Sequence, residues 1–529
     1  MKSLFTISLF LIAFGAFAQD QKTQLSKPLD ISLKGWNRVL YMSNYNTLLF
    51  HFEPSHMIEV KVFDSGRKEK PARKDQYKVL YNFGSNPPVI KGLFEINGEA
   101  VLFIDQEINS KHCLVRLRYD ATNGRLIEEK LVAESKGVNT RMQFYVIKNR
   151  FIDSYEILFC TDKHHPRKET DLFIVFFDSS HTSIKEIQLP VNRKKFDNLT
   201  IVGAEYQPEG VMITAALTKT LIYGPAGGVG NLGYNSSLDS HYLQVFHIDM
   251  ANKNLRTAIY DFSTTVFPYY TFYTCNPFAQ AYNIFLYSHI SFDFKFGLNT
   301  ESGSYNKSIF MKIDEQNINS LKCYEVNNEI ANDTLKKQRS ALDFYDGIPV
   351  KMMTNENGLS TIISEAYINH RDQSNSSRYD TSNATTLAGI TQTDDDGKEL
   401  WGTVLPCGQH YSLMPRASYS YHFTALRPYS YGKDFFIVYN DYDHNLNNSL
   451  KEPGYIINDY ENTNAFYYKI NSKKEVTKNY LFGAPAKNEF KCVFTDADYF
   501  NEHTGEYAAL IQYKKGESVS VRMAWSKLK

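Results

Sequence analysis

The chain has 529 residues, with 58 Lys and Arg against 58 Asp and Glu, so its formal net charge at neutral pH is zero. Acidic and basic residues are interspersed, which excludes the basic surface expected of a nucleic-acid-binding protein. The length exceeds what one hydrophobic core usually serves, because single cores stop growing at about 250 to 300 residues. The sequence therefore predicts either two domains or many small cores arranged around an axis.

The first 18 residues have the form of a cleavable secretory signal. Lys2 is followed by an apolar run from Leu4 to Phe14 and by the small-residue ending Ala16-Phe17-Ala18. This run is shorter than the roughly 20 apolar residues that a spanning helix needs, and no cysteine marks a lipoprotein cleavage point. We expect residues 1–18 to be removed and residues 19–529 to be exported, to the periplasm or outside the cell, with no membrane span.

Eight strand-like pairs, each joined by a polar turn, follow along the chain. Their irregular spacing indicates a repeated β-module with insertions of variable length. The turns are marked by Asp64, Asp120, Asp178, Asp249, Asp314, Asp395, Asn471 and Lys515. Aspartate favours turns because its side chain bonds to nearby backbone N–H groups, so we expect these residues to form turns and not to act in catalysis.

A near-continuously apolar run precedes each pair, for example from Asn46 and from Asp434. Such runs suit strands that are covered on both faces. With weaker strands before some of them, each unit has three or four antiparallel strands, and radial repetition of such units is typical of propellers. The sequence thus predicts an all-β protein, a single β-propeller domain of seven (or eight) blades. Hairpins at both chain ends fit a blade closed by the two termini, which favours seven slightly.

Long insertions fall between the second and third strands of the units. They are Lys163 to Thr170, Thr218 to His241, Ser291 to Lys307, Asn369 to Thr386 and Asp443 to Asn464. Equivalent connections of antiparallel strands share one edge of the sheet, so these loops should crowd one face, which we term the long-loop face. The third-to-fourth turns stay short on the opposite, short-turn face. Binding residues concentrate on loops held by a rigid scaffold, so we predict function on the long-loop face.

The candidate ligand-binding residues lie in these loops or in tyrosine-rich segments. They are His164, His165 and Arg167, and Arg416, His422 and Arg427 within Tyr411 to Tyr431. The histidines could ligate a metal or act as a general base, although a solvated loop is the alternative. Tyrosine-rich loops, which also include Phe267 to Tyr273, suit contact with sugars or a protein partner, and packing between blades explains them equally well.

One segment has the spacing of calcium ligands in a helix-flanked loop. Its oxygen-bearing residues include Asp441, Asp443, Asn445 and Glu452. Calcium binds six to eight oxygens, but Leu446 stands where the sharp turn needs glycine, so an ordinary polar loop is the alternative. No other cofactor is predicted, because the glycines from Gly228 to Gly233 lead to a strand and not to a phosphate-binding helix.

One stretch, Asn332 to Leu342, has helical character. The six cysteines are scattered singly and form no zinc or redox motif. We expect Cys113, Cys160, Cys323 and Cys492 to be buried within strands. Cys275 and Cys407 lie in loop-like sequence and form the one pair suspected of a disulfide.

The signal ending in Ala16-Phe17-Ala18, the abundance of Tyr, Asn and Lys, and the repeated strand-Asp-turn-strand units together resemble uncharacterised secreted β-propeller-like proteins of Gram-negative bacteria. The resemblance implies the propeller fold and export, and transfers no catalytic residue, because propellers host unrelated functions. The sequence favours a binding or scaffolding protein for a protein or glycan ligand, since no partnered nucleophile or metal motif is present. The alternative is a propeller enzyme, a glycan or peptide hydrolase or lyase, with carboxylates in an axial pocket.

Overall fold

The described part of the chain forms eight four-stranded antiparallel sheets and one α-helix. The structure is a computed structural model that describes residues 23–31, 35–53, 57–71, 73–76, 89–135, 141–149, 151–162, 172–191, 196, 198–207, 210–222, 236–249, 251–252, 254–261, 268–276, 281–296, 299–314, 317–338, 348–354, 359–369, 384–411, 426–447 and 460–528. The predicted signal segment and the residues His164, His165, Arg167, Arg416, His422 and Glu452 lie outside the described residues.

We number the sheets as blades 1 to 8 and give the strands of each from the inner strand outward. Blades 1 and 2 are β2 Trp36–Tyr41, β3 Thr47–Phe52, β4 Met57–Phe63, β5 Arg73–Gln76, and β6 Val89–Ile96, β7 Glu99–Ile108, β8 Lys111–Asp120, β9 Leu126–Glu134. Blades 3 and 4 are β10 Arg141–Lys148, β11 Tyr155–Asp162, β12 Leu172–Phe177, β13 Ser183–Gln188, and β14 Asn198–Gln207, β15 Gly210–Ile222, β16 Ser236–Asp249, β17 Leu255–Asp261.

The second half of the chain repeats this arrangement. Blades 5 and 6 are β18 Pro268–Asn276, β19 Ala281–Phe296, β20 Asn299–Asp314, β21 Leu321–Glu325, and β22 Ile348–Thr354, β23 Ser360–Asn369, β24 Ala384–Thr393, β25 Glu399–Tyr411. Blades 7 and 8 are β26 Arg427–Tyr431, β27 Asp434–Asp441, β28 Asn464–Ile470, β29 Val476–Tyr480, and β30 Glu489–Asn501, β31 Glu506–Lys515, β32 Ser518–Lys527, with β1 Gln24–Leu25 outermost. The helix α1, Glu329–Gln338, joins blades 5 and 6.

The blades close into a ring, the β-propeller that the sequence predicts. Inner strands of successive blades are neighbours, and β30 of blade 8 returns to β2 of blade 1. The termini close blade 8, because Gln24 and Leu25 of β1 pair with Trp525 and Ala524 of β32. The blade count is eight, the second of the two predicted numbers. The eighth strand pair of the sequence, marked by Lys515, supplies the second and third strands of its own blade, and the N-terminal strand supplies the fourth.

The hydrophobic cores lie between successive blades. One core joins Leu48 and Phe50 of blade 1 to Leu102 and Leu117 of blade 2, all of them fully buried. Burying a side chain of this size contributes about 1.5–3 kcal/mol, so each interface holds a substantial share of the stability. The chain is longer than one hydrophobic core usually serves, and the protein has many small cores arranged around an axis.

The aspartate-led turns form as the sequence predicts. The Asp120 carboxylate accepts hydrogen bonds from the backbone N–H groups of Thr122 at 2.7 Å and Asn123 at 3.2 Å, and from the Thr122 hydroxyl. These hydrogen bonds, the one from the Thr122 hydroxyl first, lower the pKa of Asp120. In blade 6 the bonding residue is Asp394, whereas the predicted Asp395 lies 2.8 Å from the Lys312 ammonium of blade 5.

These turns also contact the preceding blade of the ring. Five of the turns carry a residue with left-handed φ: Arg67, Gly124, His181, Gly397 and Lys474 have φ between 64° and 76°. A Cβ added at Gly124 would meet Val60 Cγ1 and Val62 Cγ2 of blade 1 at 3.1 Å. The turn and the blade interface are thus fixed at the same position.

Several predicted loop or helix assignments differ from the structure. Ser291 to Lys307 is not a loop, because β19 and β20 continue as one hairpin in which Phe296 pairs with Asn299. Most of Phe267 to Tyr273 belongs to β18, and Arg427–Tyr431 is β26. The helix spans Glu329–Gln338 and begins three residues before the predicted Asn332, since the Glu399 carboxylate accepts the N–H groups of Asn327 and Ile330 around its first turn. Residues 339–342 of the predicted helix lie outside the described residues. Among the described residues, no helix is long and apolar enough to cross a membrane.

The cysteines follow the predictions in part. Cys113, Cys160 and Cys492 are buried, but Cys323 is exposed because it lies on the outer strand β21. The suspected Cys275–Cys407 disulfide is wrong, since Cys407 is a free, fully buried thiol on strand β25. Burial raises the pKa of the Cys407 thiol well above its usual value, which keeps it protonated.

Candidate ligand site in the hub

The inner strands border the axis of the ring, which we term the hub. Five of them shift register against their second strand, between Ile90 and Gly92, Ile201 and Gly203, Pro268 and Tyr270, Pro349 and Lys351, and Val493 and Asp498. A β-bulge redirects the side chains next to it, and bulges are frequent beside functional sites. The largest of these irregularities, four residues on β30, lies in blade 8.

Charged residues occur on five consecutive inner strands that border the hub. We term this set the hub belt; it comprises Lys351 of blade 6, Arg427 of blade 7, Asp496 and Asp498 of blade 8, Arg38 of blade 1 and Lys91 of blade 2. Lys351, Arg427, Asp498 and Arg38 pair with Ile363, Val438, Ala509 and Phe50. Each of these partners is the fourth or fifth residue of its second strand, so the four inner-strand residues lie at a similar height along the ring axis.

Asp498 is the buried centre of the hub belt. Its Oδ2 accepts hydrogen bonds from the hydroxyls of Tyr429 at 2.5 Å and Tyr507 at 2.8 Å. Its Oδ1 lies 3.7 Å from Arg427 Nε, and only 6% of the Asp498 side chain is exposed. Burial raises the pKa of Asp498, whereas Arg427 and the two hydroxyls oppose this shift. Both carboxylate oxygens are therefore engaged in holding neighbouring side chains.

Arg427 extends from Asp498 into the hub. Its side chain is 37% exposed, while its Nε is buried and has no hydrogen-bond partner among the described residues. Burial lowers the pKa of Arg427, but Asp498, Tyr429, Tyr507 and Asp496 together outweigh this effect and the net shift is upward. The buried Nε of the guanidinium thus lies beside Asp498, and the rest of the side chain, on an inner strand, is partly exposed.

Arg38 and Asp496 repeat this arrangement across the ring closure. Arg38 Nη1 donates to the backbone carbonyl of Asp496 at 2.8 Å and lies 3.5 Å from Asp496 Oδ2. The Arg38 side chain is 40% exposed. Burial lowers its pKa, Asp496 raises it, and the nearby Arg427 lowers it. Two guanidinium groups of like charge therefore lie close together, each with a carboxylate beside it.

Lysines extend the positive charge on both sides. Lys351 Nζ donates to the Pro428 carbonyl at 3.1 Å and lies 5.6 Å from the centre of the Tyr429 ring. On the other side Lys91 Nζ lies 3.3 Å from Asp105 Oδ2, and His112 Nδ1 lies 3.8 Å from Asp105 Oδ1. Burial raises the pKa of Asp105 despite these two neighbours.

This arrangement suits recognition of an anionic group. Guanidinium groups offer several N–H donors in a planar fork that matches a carboxylate, sulfate or phosphate. Two such groups within a partly enclosed hub have a repulsion that an anion between them would relieve. Within the described part of the hub belt, each carboxylate lies beside a guanidinium that it can hold in place.

Of the six predicted ligand-binding residues, the structure describes Arg427 alone, and it places Arg427 in the hub and not in a loop. Sequence reasoning missed Arg38, Lys91, Lys351, Asp496 and Asp498. A charged residue inside an otherwise strand-like run is the signal that could have found them, as in TDADYF from Thr495. That signal does not tell which runs are inner strands.

The predicted calcium ligands have other partners. Asp441 Oδ2 lies 2.9 Å from Lys478 Nζ, and the same ammonium donates to the Asn445 carbonyl at 2.8 Å. Asp443 Oδ1 accepts the Asn464 amide at 2.7 Å. A lysine ammonium thus stands beside two of the predicted ligands, ringed by Tyr439, Phe466 and Tyr468. No group of three or more His, Cys, Asp or Glu suited to a metal occurs among the residues described.

Comparisons with known proteins relate this chain to others by shape only. No protein-family model matches the sequence, and no curated protein matches it. Solved structures of similar shape include the WD40 domain of SCAP from fission yeast, at 9% identity and a TM-score of 0.37, covering 96% of this chain and 98% of that one. They also include dipeptidyl peptidase 4 of Porphyromonas gingivalis, at 8% identity and 0.41, covering 94% of this chain and 62% of that one. A third is the polysaccharide lyase Uly1, at 9% identity and 0.42, covering 97% and 94%. Similarity this low assigns no activity.

Proposed function

We propose that this protein is an exported binding or scaffolding propeller whose hub belt recognises an anionic group on a glycan or protein ligand. The observation that carries the proposal is the pair of half-exposed guanidinium groups, Arg38 and Arg427, each beside a carboxylate on β30. Export rests on the signal-like first 18 residues of the sequence.

Asp498 supports a positioning role for the hub carboxylates. A general acid or nucleophile must reach its substrate, but Asp498 is 6% exposed and both of its oxygens already have partners. Its carboxylate orients Arg427 and the two tyrosines. Recognition by the arginines requires no further reacting group.

The binding proposal is tested by displaying acidic and neutral glycans and acidic and neutral peptides to the purified protein. We expect acidic members of one class to bind and their neutral counterparts to fail. Arg427→Gln should weaken binding about 10- to 100-fold, since a hydrogen bond to a charged group contributes about 1.5–3 kcal/mol. Arg427→Lys keeps the charge beside Asp498 but removes the planar fork, so it should also bind less tightly.

Arg125→Gln is the matched control, because Arg125 is an exposed arginine in the third-to-fourth turn of blade 2, away from the hub. It should bind as the unsubstituted protein does. Equal binding by the Arg427 variants and this control, once a ligand is found, would refute the hub as the binding site. Selection of neutral ligands would refute the anionic ligand class.

One observation favours the enzyme as a second candidate: Asp496 and Asp498 are two carboxyl groups two residues apart in the hub, where an axial active site would lie. If this candidate holds, acidic glycans or peptides incubated with the protein should be cleaved, and Asp496→Asn should abolish cleavage. Mass spectrometry of the ligands recovered from the binding test decides between intact and shortened products.

A further inference from the structure

A pocket opens between blades 6 and 7 on the short-turn face, away from the hub belt. Its walls include Thr361, Gln392, Trp401, Lys433, Phe435 and Lys474. The pocket lies beyond the apolar core that blades 6 and 7 share, in which Ile470 and Phe435 are buried and against which Trp401 packs. One end of a well-packed blade interface is therefore left open.

Three of the lining residues form a row across blade 6. Thr361 of β23 pairs with Gln392 of β24, and Gln392 pairs with Trp401 of β25. Residues paired in this way lie on the same face of a sheet, so the hydroxyl, the amide and the indole stand side by side. The register shifts directly after Gln392, next to Trp401.

Gln392 provides a hydrogen-bond acceptor at the pocket. Its side chain is 7% exposed, its Nε2 donates to Thr361 Oγ1 at 3.3 Å, and its Oε1 is buried with no hydrogen-bond partner in the described part of the chain. Leaving a buried polar atom unpaired costs about 1–3 kcal/mol, so such atoms in native proteins call for an explanation. A hydroxyl donated by a ligand in the pocket would supply the missing bond.

Lys474 provides a cation at the pocket. It occupies the left-handed position of its turn, as Arg67 and His181 do in blades 1 and 3. Arg67 Nη2 lies 3.1 Å from Glu506 of blade 8, and His181 Nε2 lies 3.8 Å from Glu99 of blade 2. Lys474 forms no ion pair with any described carboxylate and lines the pocket instead.

We propose that the pocket between blades 6 and 7 binds an acidic sugar unit, a pyranose ring that carries a carboxylate. The indole of Trp401 offers an apolar face for the C–H side of the ring. Gln392 Oε1 accepts a ring hydroxyl, and the Lys474 ammonium pairs with the carboxylate. This site is independent of the hub belt, and neither requires the other.

The probes for this pocket are glucuronate and its neutral counterpart glucose, titrated separately into the purified protein and followed by isothermal titration calorimetry or ligand-observed NMR. We expect saturable glucuronate binding at millimolar concentrations, typical of one sugar unit with few contacts, and glucose binding about tenfold weaker. Absence of saturable glucuronate binding overturns the proposal, and equal affinity for glucose overturns the role of the carboxylate.

Two variants locate the binding. Lys474→Asn removes the charge at a φ of 67° that asparagine tolerates, and should weaken glucuronate binding about tenfold without changing glucose binding. Lys473→Asn, in the same exposed turn but outside the pocket, is the control and should bind as the unsubstituted protein does. Gln392→Met fills a similar volume without the acceptor and should weaken both sugars. Unchanged glucuronate affinity in Lys474→Asn and Gln392→Met places the binding elsewhere and overturns the proposal.

Discussion

The stability of the interface between blades 2 and 3 should depend on the protonation of His181. This side chain is 2% exposed, with Nδ1 3.3 Å from the Tyr155 hydroxyl and Nε2 3.8 Å from Glu99 Oε2. The Arg116 guanidinium donates to the Tyr155 hydroxyl at 2.8 Å and to the His181 carbonyl. Burial first, and then the charges of Arg116 and Arg118, lower the pKa of His181 from 6.5 to about 4.

The sign follows from the depressed pKa. Between pH 6.5 and pH 4 the unfolded chain binds a proton at His181 that the folded chain does not, so the free energy of unfolding falls as the pH falls through this range. The full difference between a pKa of 6.5 in the unfolded chain and about 4 in the folded chain corresponds to about 3 kcal/mol in the free energy of unfolding. Between pH 7 and pH 4.5 we expect protonation at His181 to lower the free energy of unfolding by about 2 kcal/mol.

The assay is urea unfolding at both pH values, followed by circular dichroism, for the unsubstituted protein and for His181→Asn. Asparagine tolerates the φ of 64° at this position and does not titrate. On acidification, the free energy of unfolding of the variant should fall by about 2 kcal/mol less than that of the unsubstituted protein. His503→Asn, in an exposed turn of blade 8, should behave as the unsubstituted protein does. If the free energy of unfolding falls equally in the unsubstituted protein and in His181→Asn, His181 is not the source of this pH dependence.

Two further predictions concern the blade interfaces. Gly124→Ala should lower the free energy of unfolding by about 1–3 kcal/mol more than Gly516→Ala does. Both glycines have positive φ, but only Gly124 lies against Val60 and Val62. Equal losses of free energy in urea unfolding would show that this contact does not matter for stability. Lys478→Met should cost about 3–5 kcal/mol, because it leaves the buried Asp441 carboxylate without its counter-ion. The double variant Lys478→Met/Asp441→Asn should recover part of that loss, and a double variant less stable than Lys478→Met would show that the ion pair is not the cause.

The turns were predictable from sequence because their bonds are local. Asp120 bonds to residues two and three positions ahead, so composition within a short window decides the turn. The hairpin of β19 and β20 was not predictable, because its strands continue through polar residues such as Asn299 and Ser302 that are typical of loops. Strand alternation also gave the blade units but left their number open, because the outer strand of blade 8 comes from the opposite end of the chain.

The hub belt was beyond sequence reasoning for a geometric reason. Arg38 and Asp496 are separated by 458 positions and meet through ring closure. The tyrosine-rich sequence around Arg427 predicts a binding role for this residue. One of these tyrosines, Tyr429, lies beside Arg427 in the structure, and both contact Asp498. Its position on an inner strand, which is what directs it to the hub, depends on which of many similar strands comes first in its blade.

If Arg38 and Arg427 hold an anion in the hub, diffraction from crystals soaked in bromide should show it there, since the anomalous signal reports where an anion binds. We expect a bromide peak within contact distance of the Arg427 guanidinium that is lost in Arg427→Gln and retained in Arg125→Gln. Bromide peaks at surface lysines with none in the hub would contradict it.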